Sequence, residues 1–229
     1  IQGRVQNEED DLIYDNGAFV THTGVGYNGA DVSAVDGEKA TWGFGVSLGS
    51  FVMDDFVLTE KTYITEMEFF MTFWNLADPD IHPEEIVLII LGDNPSNPYA
   101  PILWGDWTTN RYSSSKFTGV YRIYDGFEGE QDPDRFTNDG FPIISVKATV
   151  ETILPPGRYW VGMGARNSQV DINYGPYVVP VSILGQGETG DGVKITYRGV
   201  EPMVDGRTED PLGVAFKVYG TPTSALWNI

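Results

Sequence analysis

The stretch "YITEMEFFMTFW", residues 63–74, shows an alternation of side chains that predicts the fold. Every second position from Met67 to Phe73 is large and apolar, and Tyr63 falls on the same side. A period of two is the geometry of a β-strand, whose successive side chains point to opposite faces of a sheet. We therefore expect a strand with one buried face, formed by Tyr63, Met67, Phe69, Met71 and Phe73.

Similar patterns recur along the chain. Alternating apolar side chains predict strands at "IISVKATV" (143–150), "GVAFKVY" (213–219) and "VKITYRG" (193–199), the last with Val193, Ile195 and Tyr197 facing inward. The run "IVLIIL" (86–91) is apolar throughout, which predicts a strand covered on both faces, with a short helical turn as the alternative. Further strands are expected at "LIYDNGAFV" (12–20), "DDFVL" (54–58), "GVYRIY" (119–124), "RYWVGM" (158–163) and "YVVPVSIL" (177–184).

Clusters of Gly, Pro, Asn and Asp separate these runs, and apolar residues nowhere recur with the helical period over three turns. The pattern predicts an all-β fold, a two-sheet antiparallel β-sandwich of jelly-roll type with about nine or ten strands. We expect an extended N-terminal arm (1–11), a single sandwich domain (12–220) and a C-terminal tail (221–229).

Charge and composition exclude several classes of partner. The 229 residues include 14 Lys and Arg against 33 Asp and Glu, a net charge of −19, which repels nucleic acids and anionic lipid surfaces. The chain has no cysteine, so disulfides and thiolate sites are excluded, and no run approaches the roughly 18 apolar residues of a membrane span. Its first residue is Ile1, which favours an extracellular or cell-surface protein whose signal peptide has been removed.

Two short motifs match catalytic fingerprints but lack the required context. Residues 24–29 spell G-x-G-x-x-G, yet no helical pattern follows to hold a dinucleotide. Residues 45–49 spell G-x-S-x-G around Ser47, yet a strand-like run follows, and His82 lies in a turn-like segment. We therefore predict no catalytic residue, no nucleotide cofactor and no enzymatic activity.

Acidic and amide side chains in loops favour a bound Ca²⁺, because calcium takes six to eight oxygen ligands from flexible segments. The predicted ligands are Asp15, Asn16, Asp31, Asp54 and Asp55. A second group of candidates lies in one acidic loop: Asp125, Glu128, Asp132, Asp134 and Asp139. Asp and Asn are also turn formers that bond to their own backbone, so a structural role explains the same residues.

Aromatic and paired acidic residues raise two further possibilities. Trp104, Trp107 and Tyr112 surround a loop and are candidate glycan contacts, although the aromatic residues of a sandwich mostly fill its core. Glu66 and Glu68 alternate on the strand face opposite the apolar one. Such a pair could serve a glycosidase, and a solvated surface explains it equally well.

Six runs of the chain resemble a β-sandwich module of exported bacterial proteins. They are "YDNGAFVTHTGVGYNGADVSAV" (14–35), "FGVSLGSFVMDDFVL" (44–58), "YITEMEFFMTFW" (63–74), "LWGDWTTNRYSSSKFTGVYRIYD" (103–125), "PIISVKATVETILPPGRYWV" (142–161) and "GVAFKVYG" (213–220). The resemblance implies a jelly-roll fold of the carbohydrate-binding and adhesion kind and a secreted or cell-surface location. It implies no assigned chemistry and transfers no catalytic residue.

These observations predict a non-catalytic extracellular structural or adhesive protein that associates with itself as a homo-oligomer, filament or surface layer and is stabilised by calcium. The apolar C-terminal residues Leu226, Trp227 and Ile229 are candidate assembly contacts, because such a segment can add a strand to a neighbour's sheet. A glycan-binding module that takes cell-surface glycans is the first alternative. A secreted glycosidase with paired carboxylates is the second.

Overall fold

The computed structural model describes residues 11–35, 41–73, 77–124, 136, 141–168 and 175–225. Fourteen strands lie in these ranges: β1 (Asp11–Asp15), β2 (Asp31–Val35), β3 (Phe44–Gly45), β4 (Phe51–Leu58), β5 (Thr62–Thr72), β6 (Glu85–Leu91), β7 (Ile102–Gly105), β8 (Tyr112–Tyr124), β9 (Pro142–Leu154), β10 (Gly157–Arg166), β11 (Tyr177–Val178), β12 (Val193–Thr196), β13 (Gly199–Pro202) and β14 (Phe216–Pro222). The helical element Tyr27–Gly29 is a three-residue 3₁₀ turn.

The strands form two sheets, so the predicted all-β, two-sheet architecture is confirmed. The first sheet has the order β1-β14-β5-β9-β8-β2, and β11 joins it by pairing with β5 and β3. The second sheet has the order β13-β12-β4-β10-β6-β7. The predicted count of nine or ten strands is not confirmed, because the structure also contains strands of only two to four residues.

The prediction of purely antiparallel sheets is wrong for one pair. The strand β2 runs parallel to β8, with Asp31 opposite Val120 and Val35 opposite Tyr124. A parallel pair needs a long connection between its strands, and here five other strands intervene between β2 and β8 along the chain. The remaining pairings of the described strands are antiparallel.

The main core lies between the two sheets and contains the apolar faces that alternation predicts. Met67, Phe69 and Met71 on β5 are fully buried there. Ile144, Val146, Ala148 and Val150 on β9, and Phe216 and Val218 on β14, bury the predicted faces too. Every apolar side chain from Ile86 to Leu91 on β6 is also buried, so that strand is covered on both faces as expected.

Tyr63 departs from the predicted inward face of β5. The register of β5 shifts between Ile64 and Glu66 against both of its main neighbours. An extra residue in a strand reverses the side-chain alternation beyond it. Ile64 is therefore the buried residue, and Tyr63 is only partly buried.

Two other predicted strands are shorter than expected, and one side chain faces the other way. The strand β1 ends at Asp15, just before Gly17, whose φ of +125° does not continue a strand. The segment from Tyr177 keeps only two strand residues, since Pro180 has no N–H to donate. Tyr197 lies at the turn between β12 and β13 and is exposed, so the prediction that it faces inward is wrong.

A buried arginine holds irregular segments against the first sheet. Arg122 on β8 is almost fully buried. Its Nε donates to the carbonyl of Trp42 at 2.9 Å, and its Nη2 donates to the carbonyl of Thr41 at 3.0 Å. Its Nη1 donates to the hydroxyls of Ser33 at 2.7 Å and Ser182 at 3.1 Å.

No helix among the described residues is long and apolar enough to cross a membrane.

Candidate functional site

Three carboxylates meet where β4 passes the loop that precedes β12. One oxygen atom from each of Asp54, Asp55 and Asp191 lies within 4.8 Å of the others. The alternation of β4 turns Asp54 toward the space between the sheets, beside the buried Val52 and Phe56, and turns Asp55 outward. Asp54 is consequently only 2% exposed, whereas Asp191 is exposed.

Asp54 ties the two sheets together. Its Oδ2 accepts hydrogen bonds from Asn16 Nδ2 at 2.8 Å and from the backbone N–H of Val214 at 2.7 Å. Its Oδ1 accepts the N–H of Asp55 at 2.8 Å. Asn16 also donates to the carbonyl of Val214 at 2.9 Å and accepts the hydroxyl of Tyr14 at 2.9 Å. The carboxylate of the second sheet therefore holds the ends of two strands of the first.

Burial sets the protonation of this carboxyl group. Removal from water raises the pKa of Asp54 to about 7, and the hydrogen bonds from Val214 and Asp55 oppose that rise. The nearby charges of Asp191 and Asp55 raise the pKa of Asp54 further. The group thus titrates near neutral pH, far above the ordinary range of an aspartate.

Arg158 on β10 binds the two outer carboxylates. Its Nε donates to Asp55, and its Nη2 donates to Asp191 at 3.3 Å. Both contacts raise the pKa of Arg158, mainly through the hydrogen bond to Asp55. Three carboxylates give fewer ligands than the six to eight oxygens of a calcium ion, and the guanidinium competes for two of them. A cation bound here needs further oxygen ligands and a displaced Arg158.

The structure separates the five predicted calcium ligands. Asn16, Asp54 and Asp55 lie in one cluster, in which Asn16 contacts Asp54 directly. Asp15 instead accepts the N–H of Gly17 at 3.0 Å and lies 3.8 Å from Lys217.

Asp31 accepts the N–H of Gly24 at 2.8 Å, which is the alternative role of a turn former. The candidate ligands Asp125, Glu128, Asp132, Asp134 and Asp139 lie outside the described residues. The calcium site itself stays a prediction.

Asp191 and Arg158 were not among the predicted site residues. The pairing of β10 with β4 places Arg158 opposite Val57 and so beside Asp55. No sequence spacing shows this pairing. The cluster of turn residues that contains Asp191, "GQGETGDG" (185–192), gives the only signal, and it indicates a loop rather than a ligand.

Glu68 is another buried carboxylate, and the interpretation of Glu66 and Glu68 as a solvated pair is wrong for it. The hydroxyl of Tyr219 donates to Glu68 at 2.5 Å, and the hydroxyl of Ser145 donates to its other oxygen. Burial and the bond to Glu68 raise the pKa of Tyr219 well above its ordinary range. Glu66 remains partly exposed and binds Lys147 Nζ at 2.9 Å.

The three predicted glycan contacts each have a different neighbour. The Arg111 guanidinium lies 4.7 Å from the Trp104 ring centre, and Trp104 also packs against the core between the sheets. Trp107 is 41% exposed and meets Phe51 edge-on, with ring centres 4.7 Å apart.

Tyr112 stacks on His82, with ring centres 6.0 Å apart. Of the three predicted residues, Trp107 therefore offers the most ring surface to solvent.

Exposed apolar side chains are concentrated around β7. The described residues include fourteen large apolar or aromatic side chains that are exposed, and four of them lie between positions 99 and 107. These four are Tyr99, Ile102, Leu103 and Trp107, and we call residues 99–107 the β7 segment. The predicted assembly residues Leu226, Trp227 and Ile229 lie outside the described residues.

The two catalytic-like motifs occupy turns. Gly24 precedes the 3₁₀ turn and Gly29 is its last residue; both have positive φ, and the strand β2 follows. Ser47 pairs with Ser50 in a tight turn, and its hydroxyl accepts the N–H of Gly49. His82 lies within 2.9 Å of the carbonyl of Asp80, and its described contacts do not include Ser47.

The fold and its clusters define an acidic β-sandwich protein. Comparisons of this chain with family models, with curated proteins and with solved structures gave no match.

Proposed function

We propose that this chain is a non-catalytic structural or adhesive protein of the cell exterior that associates with copies of itself. The observation that carries the proposal is the β7 segment, where exposed apolar side chains are concentrated on a chain of net charge −19. Apolar surface of this kind favours contact with another protein. The resemblance to exported bacterial sandwich modules supports the location.

The polar clusters around Asp54 and Glu68 support the same proposal, because donors of the protein itself form hydrogen bonds with both carboxylates. N–H groups of Asn16, Val214 and Asp55 surround Asp54. Hydroxyl groups of the protein bind both oxygens of Glu68. These carboxylates stabilise the sandwich, which is a structural role.

The proposal includes a jelly-roll arrangement of the sandwich. The strand β4 pairs with β10 in the second sheet, and the next strand, β5, pairs with β9 in the first. The consecutive strands β4 and β5 thus run beside the consecutive strands β10 and β9. The pair β4–β10 lies in the second sheet and the pair β5–β9 in the first. This nesting is typical of a jelly roll, in which a long hairpin wraps around the core.

The proposal also includes a stabilising Ca²⁺ at Asp54, Asp55 and Asp191, which supply three carboxylates within reach of one ion. Sedimentation of the purified chain at low and at high salt, each with Ca²⁺ or with a chelator, tests association and calcium together. We expect association that strengthens with salt, since salt screens the repulsion between acidic copies. A monomer under all four conditions would overturn the proposal of self-association. Equal melting temperatures with Ca²⁺ and with chelator would overturn the calcium site alone.

A glycan-binding module is the second candidate, and the exposed ring of Trp107 favours it. Ring faces of this kind can stack on sugars. Titration of the chain with soluble glycans, monitored by tryptophan fluorescence, tests it. Saturable binding that Trp107→Ala abolishes, in a protein that remains monomeric, would favour this candidate over self-association.

A further inference from the structure

The edge strands of the two sheets differ in how they are protected. The first sheet ends in β1, in β2 and, on the branch through β11, in β3, which is only two residues long; the second ends in β13 and β7. An edge strand presents unpaired backbone N–H and C=O groups, which can pair with another chain. Proteins protect such edges with charges, proline, bulges or covering segments.

Three of the edges carry such protection. The strand β1 contains Asp11 and Asp15, and β13 contains Glu201 and ends at Pro202. A neighbouring segment covers β2, because the N–H groups of Thr21 and His22 donate to the carbonyl of Val32 at 2.8 and 3.0 Å. Val32 returns a bond to the carbonyl of His22 at 2.8 Å.

The edge at β7 has a bulge, but it has no charge and no covering strand among the described residues. Its sequence, "ILWG", contains no charged residue, and Ile102 and Leu103 are 46% and 47% exposed. Its backbone pairs with β6, and no other described strand pairs with it. The register shift against β6 leaves Leu103 without a partner residue in the ladder. This bulge shortens the edge, so the contact it can make relies on side chains as well as on backbone bonds.

We propose that β7 pairs antiparallel with β7 of a second copy across a two-fold axis and joins the two six-stranded sheets. This inference rests on the proposed self-association and names its surface. A second copy fits because residues 99–105 carry no charge, so two such segments can meet without opposing like charges. The same pairing at β1 would bring Asp11 and Asp15 of both copies together.

The size of the segment sets the strength of the contact. Nine residues from each copy bury less than the roughly 1,200 Å² of a standard stable interface. Each copy also carries a net charge of −19, which opposes the approach at low salt. The dimer is therefore weak and forms at high salt.

Leu103→Lys tests the pairing, with Leu12→Lys as its matched control. Both leucines lie on edge strands and are about half exposed, at 47% and 50%, and both substitutions add one positive charge. We expect Leu103→Lys to weaken dimerisation at high salt at least tenfold, and Leu12→Lys to change it less than twofold. Equal melting temperatures of the two variants would show that both are folded.

A cross-linking experiment tests the geometry independently. The chain has no cysteine, so in a Leu103→Cys variant a disulfide can form only between copies. Antiparallel pairing around a two-fold axis that passes beside position 103 brings these cysteines within the 4.4–6.8 Å between Cα atoms that a disulfide spans. We expect a cross-linked dimer from Leu103→Cys under mild oxidation and much less from Leu12→Cys.

Different results would overturn different claims. A wild-type monomer at all salt concentrations would overturn the proposed function and this inference together. Association that Leu103→Lys leaves unchanged would overturn only the β7 pairing. If Trp227→Ser abolishes association and Leu103→Lys does not, the C-terminal segment forms the contact instead of β7.

Discussion

Asp54 and Arg122 are both buried ions, one in each sheet, and neither has an opposite charge as its hydrogen-bond partner. Asp54 accepts three N–H groups, from a side-chain amide and two backbone positions. Arg122 donates to two carbonyls and two hydroxyls. Burial moves both pKa values toward the neutral forms, to about 7 for Asp54 and about 9 for Arg122.

The difference between them lies in the segments they hold. Asp54 joins one sheet to the strand ends of the other through Asn16 and Val214. Arg122 joins its own sheet to backbone that belongs to no strand, at Thr41 and Trp42. Burying a charge among neutral partners carries a desolvation penalty. The contribution of these two groups is therefore to fix the position of chain segments that have no regular secondary structure of their own.

Arg122→Met should give the largest loss of stability. The substitution removes the charge and takes this donor from the buried carbonyl of Trp42 and the partly buried carbonyl of Thr41. Each unpaired buried group costs about 1–3 kcal/mol, so we expect the free energy of unfolding to fall by about 2–6 kcal/mol. Urea unfolding followed by tryptophan fluorescence measures the change.

Arg166→Met is the control for this loss. Arg166 lies on β10, is half exposed and donates to Glu85 at 2.7 Å. An exposed ion pair of this kind contributes about 0–1 kcal/mol. Equal losses in the two variants would show that burial of Arg122 has no special effect.

The sequence predicts the sheets better than it predicts these two ions. Alternation identifies β5 and an unbroken apolar run identifies β6, because the spacing of apolar residues reflects the burial of one face or of both. The prediction from alternation fails at Tyr63, because a bulge in β5 changes the face on which Tyr63 lies without changing the amino-acid composition of the strand. It also fails at Tyr197, where the hairpin turns before the pattern ends.

For a related reason, the sequence does not predict the burial of Arg122. Its strand was expected, but an arginine on a strand normally faces water. Here residues that lie far away in sequence, at positions 41, 42 and 182, cover it. The cluster at Asp54 shows the same limit, since the sequence predicts a strand at 54–58 but does not show that Asp54 faces the core while Asp55 faces outward.

The pH dependence of stability tests Asp54. Its pKa is about 7 in the folded protein and 3.8 ordinarily, so the folded state binds the proton more tightly. The stability that this group contributes is fully present below the unfolded pKa and is lost as the pH rises through about 7. Asp54→Asn removes the titration. Between pH 5 and 7, wild type should lose about 1–2 kcal/mol more than this variant.

Urea unfolding of both proteins at several pH values in this window measures the difference. Asp55→Asn is the control, because Asp55 lies next to Asp54 on β4 but faces outward and pairs with the exposed Arg158. We expect the control to keep most of the wild-type dependence, because Asp54 stays buried and the charge of Asp55 adds only a small part to its raised pKa. The free energy of unfolding of wild type minus that of Asp54→Asn should therefore fall as the pH rises. If this quantity stayed constant or rose with pH, the raised pKa of Asp54 would be contradicted.

Lys147→Met should give the smallest loss of stability, because Lys147 is partly exposed, whereas Asp54 and Arg122 are buried. Lys147 Nζ binds Glu66 at 2.9 Å and lies 4.7 Å from the centre of the Tyr219 ring. An exposed ion pair and an exposed cation–π contact contribute about 0.5–1 kcal/mol each at most, and the methionine keeps the apolar contact with the ring. We expect a loss below about 1 kcal/mol that shrinks further in high salt, measured by urea unfolding. A loss as large as that of Arg122→Met would mean that Lys147 also supports the buried Glu68, whose neighbour Tyr219 it covers.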